Sequence, residues 1–260
     1  MNQIGLQLYS IRDVFLKDEA SIRDGFRAIA DMGYTQAEPA GFLIDPALFA
    51  RYAKDAGVQI VNTHYNAQQV LDNPEEAVRV HDLFGCHYIG TGGYGMSTPD
   101  EVSAFIDGVN KSGKVLKKAG YKFVYHNHSH EFIKMANGKS TYEMLLEGLD
   151  PECAALELDC FWAQNAGVDP ASFIQEHKDL IRLIHVKDMG VHRNPETNRA
   201  ENFITEVGHG NMNYKKIVKA ADEAGVEFFV VEQDTNWMDG DPLKAVASSC
   251  DYIRKNLFNL

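Results

Sequence analysis

The chain has 260 residues, of which 45% are hydrophobic, and it carries a formal net charge of −12 at pH 7. A chain of this length and composition can bury one large core, which predicts a single domain over residues 1–260. The acidic excess argues against a nucleic-acid partner or an anionic membrane surface, and no apolar run approaches the roughly 20 residues of a membrane span.

The four cysteines are scattered along the chain and show no C-x-x-C spacing. This pattern is typical of a reduced cytoplasmic protein and not of a disulfide framework. The first residues also lack a basic segment followed by an apolar one, so we expect no signal peptide. The composition therefore predicts a cytoplasmic enzyme that acts on a small molecule.

The first apolar run, residues 4–9, is a predicted strand, and helix-like apolar spacing follows over residues 20–31 up to Gly33. The same alternation continues along the chain, where five Asp-Pro, Asn-Pro or Thr-Pro pairs mark predicted helix starts. The eight predicted strands are residues 4–9, 35–38, 59–64, 88–91, 122–126, 155–159, 180–185 and 227–232.

Strands that alternate with helices indicate a parallel sheet with helical crossovers. Eight such units in about 250 residues predict a (β/α)8 TIM barrel, and the alternative is an open, doubly wound sheet. We favour the barrel because polar groups end nearly every strand, from the first to the last. Residues 189–213 follow the seventh strand and are predicted to form a loop on the face that carries the site.

The strand ends carry the residue types of a metal-dependent active site. All strands of a TIM barrel open onto one shared pocket at their carboxyl ends, so we expect these side chains to converge. Carboxylates combined with imidazoles suit manganese, zinc, cobalt or iron. The strand-end residues are Gln7, Tyr9, Glu38, His64, His126, His128, Asp159, Trp162, His185, Lys187, Glu206 and Glu232.

Two residues near the sixth strand have alternative interpretations. Glu157 points to the same side as Asp159 but lies one layer deeper, because strand side chains alternate with a period of two. We interpret Glu157 as a residue that orients a neighbouring imidazole, and the alternative is a salt bridge to a barrel lysine or arginine. Trp162 is either part of the core or a flat apolar floor for a sugar ring.

Six segments together are typical of one superfamily. They are GLQLYS at residues 5–10, YHNHSHEF at 125–132, ELDCFW at 157–162, HVKDM at 185–189, EVGHG at 206–210 and VEQD at 231–234. With them the chain resembles the sugar phosphate isomerase/epimerase family of xylose isomerase-like TIM barrels, over nearly its whole length. The motifs are specific for the superfamily and do not identify the substrate.

For the epimerase branch, the resemblance implies a metal held by Glu, Asp, His and Glu from strands five to eight. Asp159, His185 and Glu232 match the last three of these. At strand five the chain has His126 instead of glutamate, with Glu131 a few residues later. Either His126 replaces the glutamate or Glu131 folds back to serve. We favour His126 as the ligand, with Glu131 in contact with the substrate.

We therefore expect a divalent-metal-dependent sugar isomerase or epimerase that acts on a ketosugar or related polyol through an enediolate. Four residues are candidates for proton transfer, namely Glu232, Glu131, Lys187 and His128. Five residues are candidates for substrate binding, namely Gln7, Tyr9, His64, Trp162 and Glu206.

Three other functions are alternatives. The first is a metal-dependent lyase or dehydratase of 3-ketoglycosides or inososes, which shares the enediolate. The second is a sugar-binding barrel without turnover. The third is an endonuclease IV-like phosphodiesterase, which needs further metal ligands and a basic track that this acidic sequence lacks. The sequence leaves the oligomeric state open, a homo-oligomer included.

Overall fold

The computed structural model describes residues 3–258, in which a parallel sheet of eight strands is surrounded by helices. The sheet strands are β1 (Gly5–Gln7), β2 (Gln36–Glu38), β3 (Gln59–Ile60), β4 (Tyr88–Thr91), β5 (Lys122–His126), β6 (Ala154–Asp159), β7 (Ile181–Val186) and β10 (Phe228–Val231). Two further strands, β8 (Asp188–Arg193) and β9 (Ala200–Thr205), lie between β7 and β10 in the chain and are not part of this sheet. The helices are α1 (Arg12–Phe15), α2 (Glu19–Met32), α3 (Pro46–Asp55), α4 (Ala67–Asp72), α5 (Pro74–Asp82), α6 (Pro99–Lys118), α7 (Thr141–Gly148), α8 (Cys160–Asn165), α9 (Pro170–Glu176), α10 (Tyr214–Ala224) and α11 (Pro242–Asn256).

Local capping signals determine where the helices begin. All five predicted Asp-Pro, Asn-Pro and Thr-Pro pairs stand at helix starts, each with proline in the first turn. At α6, the Thr98 hydroxyl accepts a hydrogen bond from the Glu101 N–H, and the Glu101 carboxylate accepts one from the Thr98 N–H. Gly33 ends α2 in the left-handed region, at φ 106°. These helix boundaries were therefore predictable from short sequence patterns.

The strand order is β3-β2-β1-β10-β7-β6-β5-β4, and all neighbouring strands are parallel. The two outer strands of this order also meet, because His64 pairs with Gly90 and the Tyr65 N–H donates to the Gly90 carbonyl at 2.8 Å. A Cβ at Gly90 would lie 2.7 Å from Asn62 and from the Thr63 carbonyl, so the close approach requires glycine. The sheet thus closes into the predicted TIM barrel.

The barrel interior changes from apolar to polar along the strands. A buried cluster of Tyr88, Val124, Ala155 and Leu183 fills the amino-terminal side. Strand side chains alternate with a period of two, so the next inward residues are polar, and they include His126, Glu157 and His185. A larger apolar cluster packs the helices against the outside of the sheet. The polar residues therefore lie together at the carboxyl ends of the strands, above an apolar base.

The structure corrects the prediction for the segment after the seventh strand. The predicted loop over residues 189–213 contains most of β8 and all of β9, which pair as an antiparallel hairpin with Asp188 opposite Thr205. Asn194 stabilises the hairpin turn, since its Oδ1 accepts from the Glu196 N–H at 2.8 Å and the Thr197 N–H at 3.1 Å. Side-chain hydrogen bonds of this kind leave no apolar periodicity, so the sequence pattern predicts a loop here.

Two predicted strands, the first and the third, are much shorter than expected. β1 ends at Gln7, whose side-chain oxygen accepts from the Tyr9 N–H, and a short 3-10 turn follows over Leu8–Ile11. β3 covers only Gln59–Ile60, although the Val61 N–H still donates to the Ala37 carbonyl. Among the described residues, no helix combines the length and the apolar character needed to cross a membrane.

Candidate active site

A cavity of about 620 Å³ lies at the carboxyl ends of the barrel strands. Active sites of TIM barrels lie on this face. Six predicted site residues line the cavity, namely Tyr9, His64, His126, His128, Lys187 and Glu232. The rest of the wall consists of Ala40, Gly41, Tyr65, Asn66, Gly92 and Asp234.

Four side chains from successive barrel strands meet at the base of this cavity. His126, Asp159, His185 and Glu232 each offer one donor atom within 4.8 Å of the others, and all four residues are buried. We call these four residues the upper cluster. In it, His185 Nδ1 lies 2.9 Å from Glu232 Oε2, and His126 Nε2 lies 3.5 Å from Asp159 Oδ2. The four residues predicted as metal ligands are therefore neighbours in space.

His126 ends β5 with an unpaired ring. Neither of its ring nitrogens has a hydrogen-bond partner among residues 3–258, although the side chain is buried. Burial, together with the nearby His185, lowers the pKa of His126 to about 3, so the ring is neutral at physiological pH. A buried polar atom without a partner is rare, and a neutral imidazole is the form that binds metal ions.

Asp159 divides its two oxygens between local structure and the site. Oδ1 accepts from the Trp162 N–H at 2.9 Å and so caps α8. The Asp159 N–H donates to Asn127 Oδ1 at 3.0 Å, which fixes the backbone here. Oδ2 faces the upper cluster and lies 3.0 Å from Lys187 Nζ. The capped helix thus holds one carboxylate oxygen in the site.

Lys187 reaches the same carboxylates from the end of β7. Its Nζ lies 2.7 Å from Glu232 Oε2, 2.9 Å from Asp234 Oδ2 and 3.0 Å from Asp159 Oδ2. Burial alone would lower the pKa of Lys187, but the three carboxylates raise it. Burial would also raise the pKa of Glu232, but Lys187 and His185 together hold it well below its usual value. Lys187 is therefore an ammonium ion and Glu232 a carboxylate.

A second group of polar side chains adjoins the upper cluster and shares His185. We call Glu38, His64, Glu157 and His185 the lower cluster. His64 Nε2 lies 2.7 Å from Glu38 Oε1 and 3.1 Å from Glu157 Oε2, while His185 Nε2 lies 3.2 and 3.3 Å from the same two oxygens. Burial alone would lower the pKa of His64, but Glu38 and Glu157 raise it to about 10. Glu157 thus contacts two imidazoles, as interpreted from the sequence.

Gln7 and Glu206, two of the predicted substrate contacts, do not line the cavity. Gln7 Nε2 donates to Glu38 Oε1 at 2.5 Å, so it orients the lower cluster. Glu206 Oε1 accepts from Gln233 Nε2 at 3.0 Å and from the Met238 N–H at 2.7 Å. Both side chains are buried in these contacts, which do not support direct binding of a substrate.

Trp162 and Glu131 are also absent from the cavity wall. Trp162 is partly buried and packs with Phe161 and Met189, and its ring centre lies 5.5 Å from Lys187 Nζ. Glu131 accepts from the Tyr125 hydroxyl at 2.9 Å, and the His128 N–H donates to its other oxygen at 2.8 Å. The structure therefore groups the Glu131 carboxylate with the histidines of its own loop and not with the upper cluster.

Sequence reasoning missed Asp234 as a site residue. Asp234 lines the cavity and contacts Lys187, and it stands two positions after Glu232. The period of two in an extended segment is a signal that could have identified it. Burial, followed by the charge of Glu232, raises the pKa of Asp234 to about 6. A carboxyl group with this pKa can accept and release a proton near neutral pH.

The upper cluster fits a divalent cation in its donor chemistry. It combines two carboxylates with two imidazoles, a mixture that suits manganese, zinc, cobalt or iron. The unpaired ring of His126 supplies a free lone pair beside Oδ2 of Asp159, the carboxylate oxygen that faces the cluster. The carboxylate oxygens are nevertheless already in contact with the Lys187 ammonium, so binding of a cation there involves Lys187.

Comparison with known proteins gives relatives of two kinds. A family profile described as a xylose isomerase-like TIM barrel matches residues 26–256. Inosose dehydratase from Geobacillus thermodenitrificans is 29% identical over 171 residues, which cover 61% of this chain and only 55% of that protein. Inosose dehydratase from Bacillus licheniformis is 22% identical over 88% of this chain and 86% of that protein. The solved structure of a sugar phosphate isomerase/epimerase from Parabacteroides distasonis is 25% identical, with a TM-score of 0.81 and 98% of each chain covered.

Proposed function

The chain belongs to the xylose isomerase-like TIM barrel family, and from this premise we propose that it is a metal-dependent enzyme of carbohydrate metabolism. It removes a proton from the carbon next to the carbonyl group of a sugar or cyclic polyol, which gives an enediolate. One observation carries this proposal. The upper cluster, Lys187 and Asp234 bring carboxylates, imidazoles and an ammonium group, which are able to bind a metal ion and to transfer protons, to the base of one cavity.

His126, Asp159, His185 and Glu232 hold the cation in this proposal. A divalent ion held there would supply a Lewis acid for the carbonyl oxygen of the substrate and for the negative charge that develops on it. The chain supplies the rest. His185 is held between Glu232 on one side and Glu38 on the other, at 2.9 and 3.2 Å, which orients its ring. The capped Asp159 is equally constrained, so the site is organised before substrate arrives.

In this proposal, the carboxyl groups of Glu232 and Asp234, which follow β10, transfer the protons. Glu232 is ionised and lines the cavity, so it can take the proton from the carbon. Asp234 lines the cavity two residues later, and its pKa, raised to about 6, makes it the more easily protonated of the two carboxyl groups. A base and a neighbouring acid together can remove a proton and protonate a leaving hydroxyl group.

Dehydration is the outcome that this arrangement supports best. Both carboxyl groups follow one strand, so they approach the substrate from the same side of the barrel. Elimination of water breaks one C–H and one C–O bond, and it needs one base and one acid. The relatives that are named inosose dehydratase support the same choice.

Isomerisation or epimerisation is the second candidate. It needs a base that reaches the other face of the substrate, and His128 lines the cavity from the strand-five side. Burial lowers the pKa of His128, which keeps its ring neutral and able to accept a proton. The enediolate is common to both outcomes, so the choice depends on whether a hydroxyl group leaves.

The substrate in this proposal carries no phosphate group. Among the described residues that line the cavity, the two cations are already paired, since Lys187 contacts three carboxylates and His64 contacts two. Tyr9 offers an aromatic face at the wall, 42% exposed and backed by the Arg12 guanidinium 4.0 Å from its ring centre. Such a wall suits a neutral polyhydroxy ring.

The test is a panel of inososes, 3-ketoglycosides, ketohexoses and the 6-phosphates of the ketohexoses, each incubated with manganese-loaded protein. Mass spectrometry detects loss of one water or, for a glycoside, loss of its alcohol, whereas chromatography detects an isomer of unchanged mass. We expect loss of water from a neutral keto-polyol. An isomer alone would support the second candidate, and turnover of only the phosphorylated compounds would contradict the substrate class. The Asp159→Asn variant serves as the inactive control.

A further inference from the structure

The ammonium group of Lys187 contacts the carboxylates that a metal ion would need as ligands. Lys187 Nζ contacts Asp159 Oδ2 at 3.0 Å and Glu232 Oε2 at 2.7 Å, and both oxygens belong to the upper cluster. The side chain of Lys187 is only 1% exposed, so these contacts lie inside the protein and not at its surface. The upper cluster therefore already contains a positive charge that belongs to the chain itself.

An ammonium and a divalent ion cannot share these oxygens at low cost. Metal–oxygen bonds to carboxylates are about 2.0–2.2 Å long for zinc, which would bring the ion close to an ammonium on the same oxygen atoms. Repulsion between a single and a double positive charge is strong where water is excluded. One of the two cations must therefore move when the other occupies the cluster.

Asp234 provides a place for the ammonium to move to. Its Oδ2 lies 2.9 Å from Lys187 Nζ, it lies outside the upper cluster, and its side chain is 22% exposed towards the cavity. The Lys187 backbone is fixed at the same time, because the Tyr214 hydroxyl contacts both its N–H and its carbonyl at 2.8 Å. Movement is thus confined to the lysine side chain.

We propose that Lys187 is a built-in counter-cation, which neutralises Asp159 and Glu232 when no metal is bound and shifts to Asp234 when a divalent ion enters. This inference rests on the metal site of the proposed function. It has two consequences. The ammonium stabilises the metal-free protein. It also weakens metal binding, because the ion can bind only in the arrangement in which Lys187 has left Asp159 and Glu232. After metal binding, the Lys187–Asp234 pair faces the cavity as a unit that meets the substrate.

The test compares wild-type protein with Lys187→Met, which keeps the aliphatic stem and removes the charge. Lys216→Met is the matched control, because Lys216 forms an exposed ion pair with Asp169 at 2.7 Å. Metal-free samples are prepared with a chelator, their melting temperatures are measured, and they are then titrated with Mn²⁺. We expect Lys187→Met to melt at a lower temperature than wild type without metal, and to bind Mn²⁺ about tenfold more tightly or better. The control should match wild type in both measurements.

The outcomes separate this inference from the proposed function. If Lys187→Met binds Mn²⁺ no more tightly than wild type while wild type binds it, the counter-cation role is wrong and the metal site stands. If Lys187→Met binds Mn²⁺ and wild type does not, Lys187 only neutralises the carboxylates, and both its shift to Asp234 and the metal dependence of the natural protein are wrong. If neither wild type nor Lys187→Met binds Mn²⁺, the counter-cation role and the metal site are both wrong. If Lys187→Met does not fold, a crystal structure of the manganese-loaded wild type decides, since Nζ must have left Asp159 and Glu232 and kept Asp234.

Discussion

His185 Nδ1 lies 2.9 Å from Glu232 Oε2, and this contact joins the ends of the adjacent parallel strands β7 and β10. The second ring nitrogen of His185 lies 3.2 Å from Glu38 Oε1, so the imidazole connects the upper and lower clusters. A change in the charge of Glu232 therefore also alters the electrostatic environment of Glu38 in the lower cluster. The contact also holds the Glu232 carboxylate in one orientation at the cavity wall.

The first prediction concerns Glu232 as the base. If a substrate identified in the panel passes through an enediolate, its C–H next to the carbonyl will exchange with solvent in deuterated water. Glu232→Gln keeps the size of the side chain and removes the base, so we expect exchange to fall by about a hundredfold or more. Deuterium in product and recovered substrate is measured by mass spectrometry and NMR.

Glu223→Gln is the control for this experiment, because Glu223 forms an exposed pair with Lys219 on α10. It should exchange like wild type. Unchanged exchange in Glu232→Gln would move the base to another residue, with His128 the next to test. If wild type converts the substrate without incorporating deuterium, the experiment is repeated with deuterium-labelled substrate in ordinary water. A hydride shift would then carry the label to the neighbouring carbon.

The second prediction concerns the metal ligand at strand five. His126→Ala should lower the manganese content of the protein well below one ion per chain, since the unpaired His126 ring faces Asp159. Glu131→Gln should retain the ion, because Glu131 contacts Tyr125 and its own loop. Elemental analysis of both variants, with melting temperatures as a check on folding, measures this. Loss of metal in Glu131→Gln alone would reverse the assignment.

The third prediction concerns Asp159→Asn. An asparagine oxygen can still cap α8 by accepting from the Trp162 N–H, so the fold should be retained. The charge that faces His126 and Lys187 is lost, and we expect turnover to fall by about a thousandfold. Circular dichroism and steady-state kinetics measure the two effects. A folded variant that keeps most of its activity would contradict the site.

The fourth prediction concerns stability against pH at His81, which lies outside the active site. His81 is fully buried, and its ring nitrogens contact the Ala77 carbonyl and the Thr63 hydroxyl, both at 2.7 Å. Burial lowers the pKa of His81 from 6.5 to about 4 in the folded protein. Between pH 6.5 and about 4, His81 is therefore protonated in the unfolded chain and neutral in the native protein.

The stabilisation from a neutral His81 is thus complete above pH 6.5 and is lost as the pH falls towards 4. Each pH unit in this window costs about 1.4 kcal/mol in the free energy of unfolding. Urea unfolding of His81→Gln between pH 7 and 5 should show a smaller loss than wild type. The exposed His87→Gln is the control and should follow wild type. Equal pH slopes in all three proteins would contradict the prediction.

The sequence by itself determined the helices and strands of the barrel, although not the hairpin of β8 and β9, and the side of the barrel on which the chemistry lies. Apolar runs, Asx-Pro pairs and capping boxes act within a few residues, so they mark the ends of helices and strands such as β4 and β5 correctly. Because all strands of a parallel barrel end on one face, the positions of His126, Asp159, His185 and Glu232 followed from where their strands stop. Convergence of these four residues was thus a consequence of topology.

Only the tertiary structure decided what those side chains contact. Lys187 meets carboxylates from β6 and from the segment after β10, and Glu206 is held by Gln233 and the Met238 N–H. Asp188 shapes the loop before α10, since its carboxylate accepts four backbone N–H groups, those of Met189, Gly208, Gly210 and Met212. These contacts join residues far apart in the chain, and a local period of two or 3.6 carries no information about them. Their partners were set when the barrel closed and the carboxylates, cut off from water, had to pair with the nearest donors.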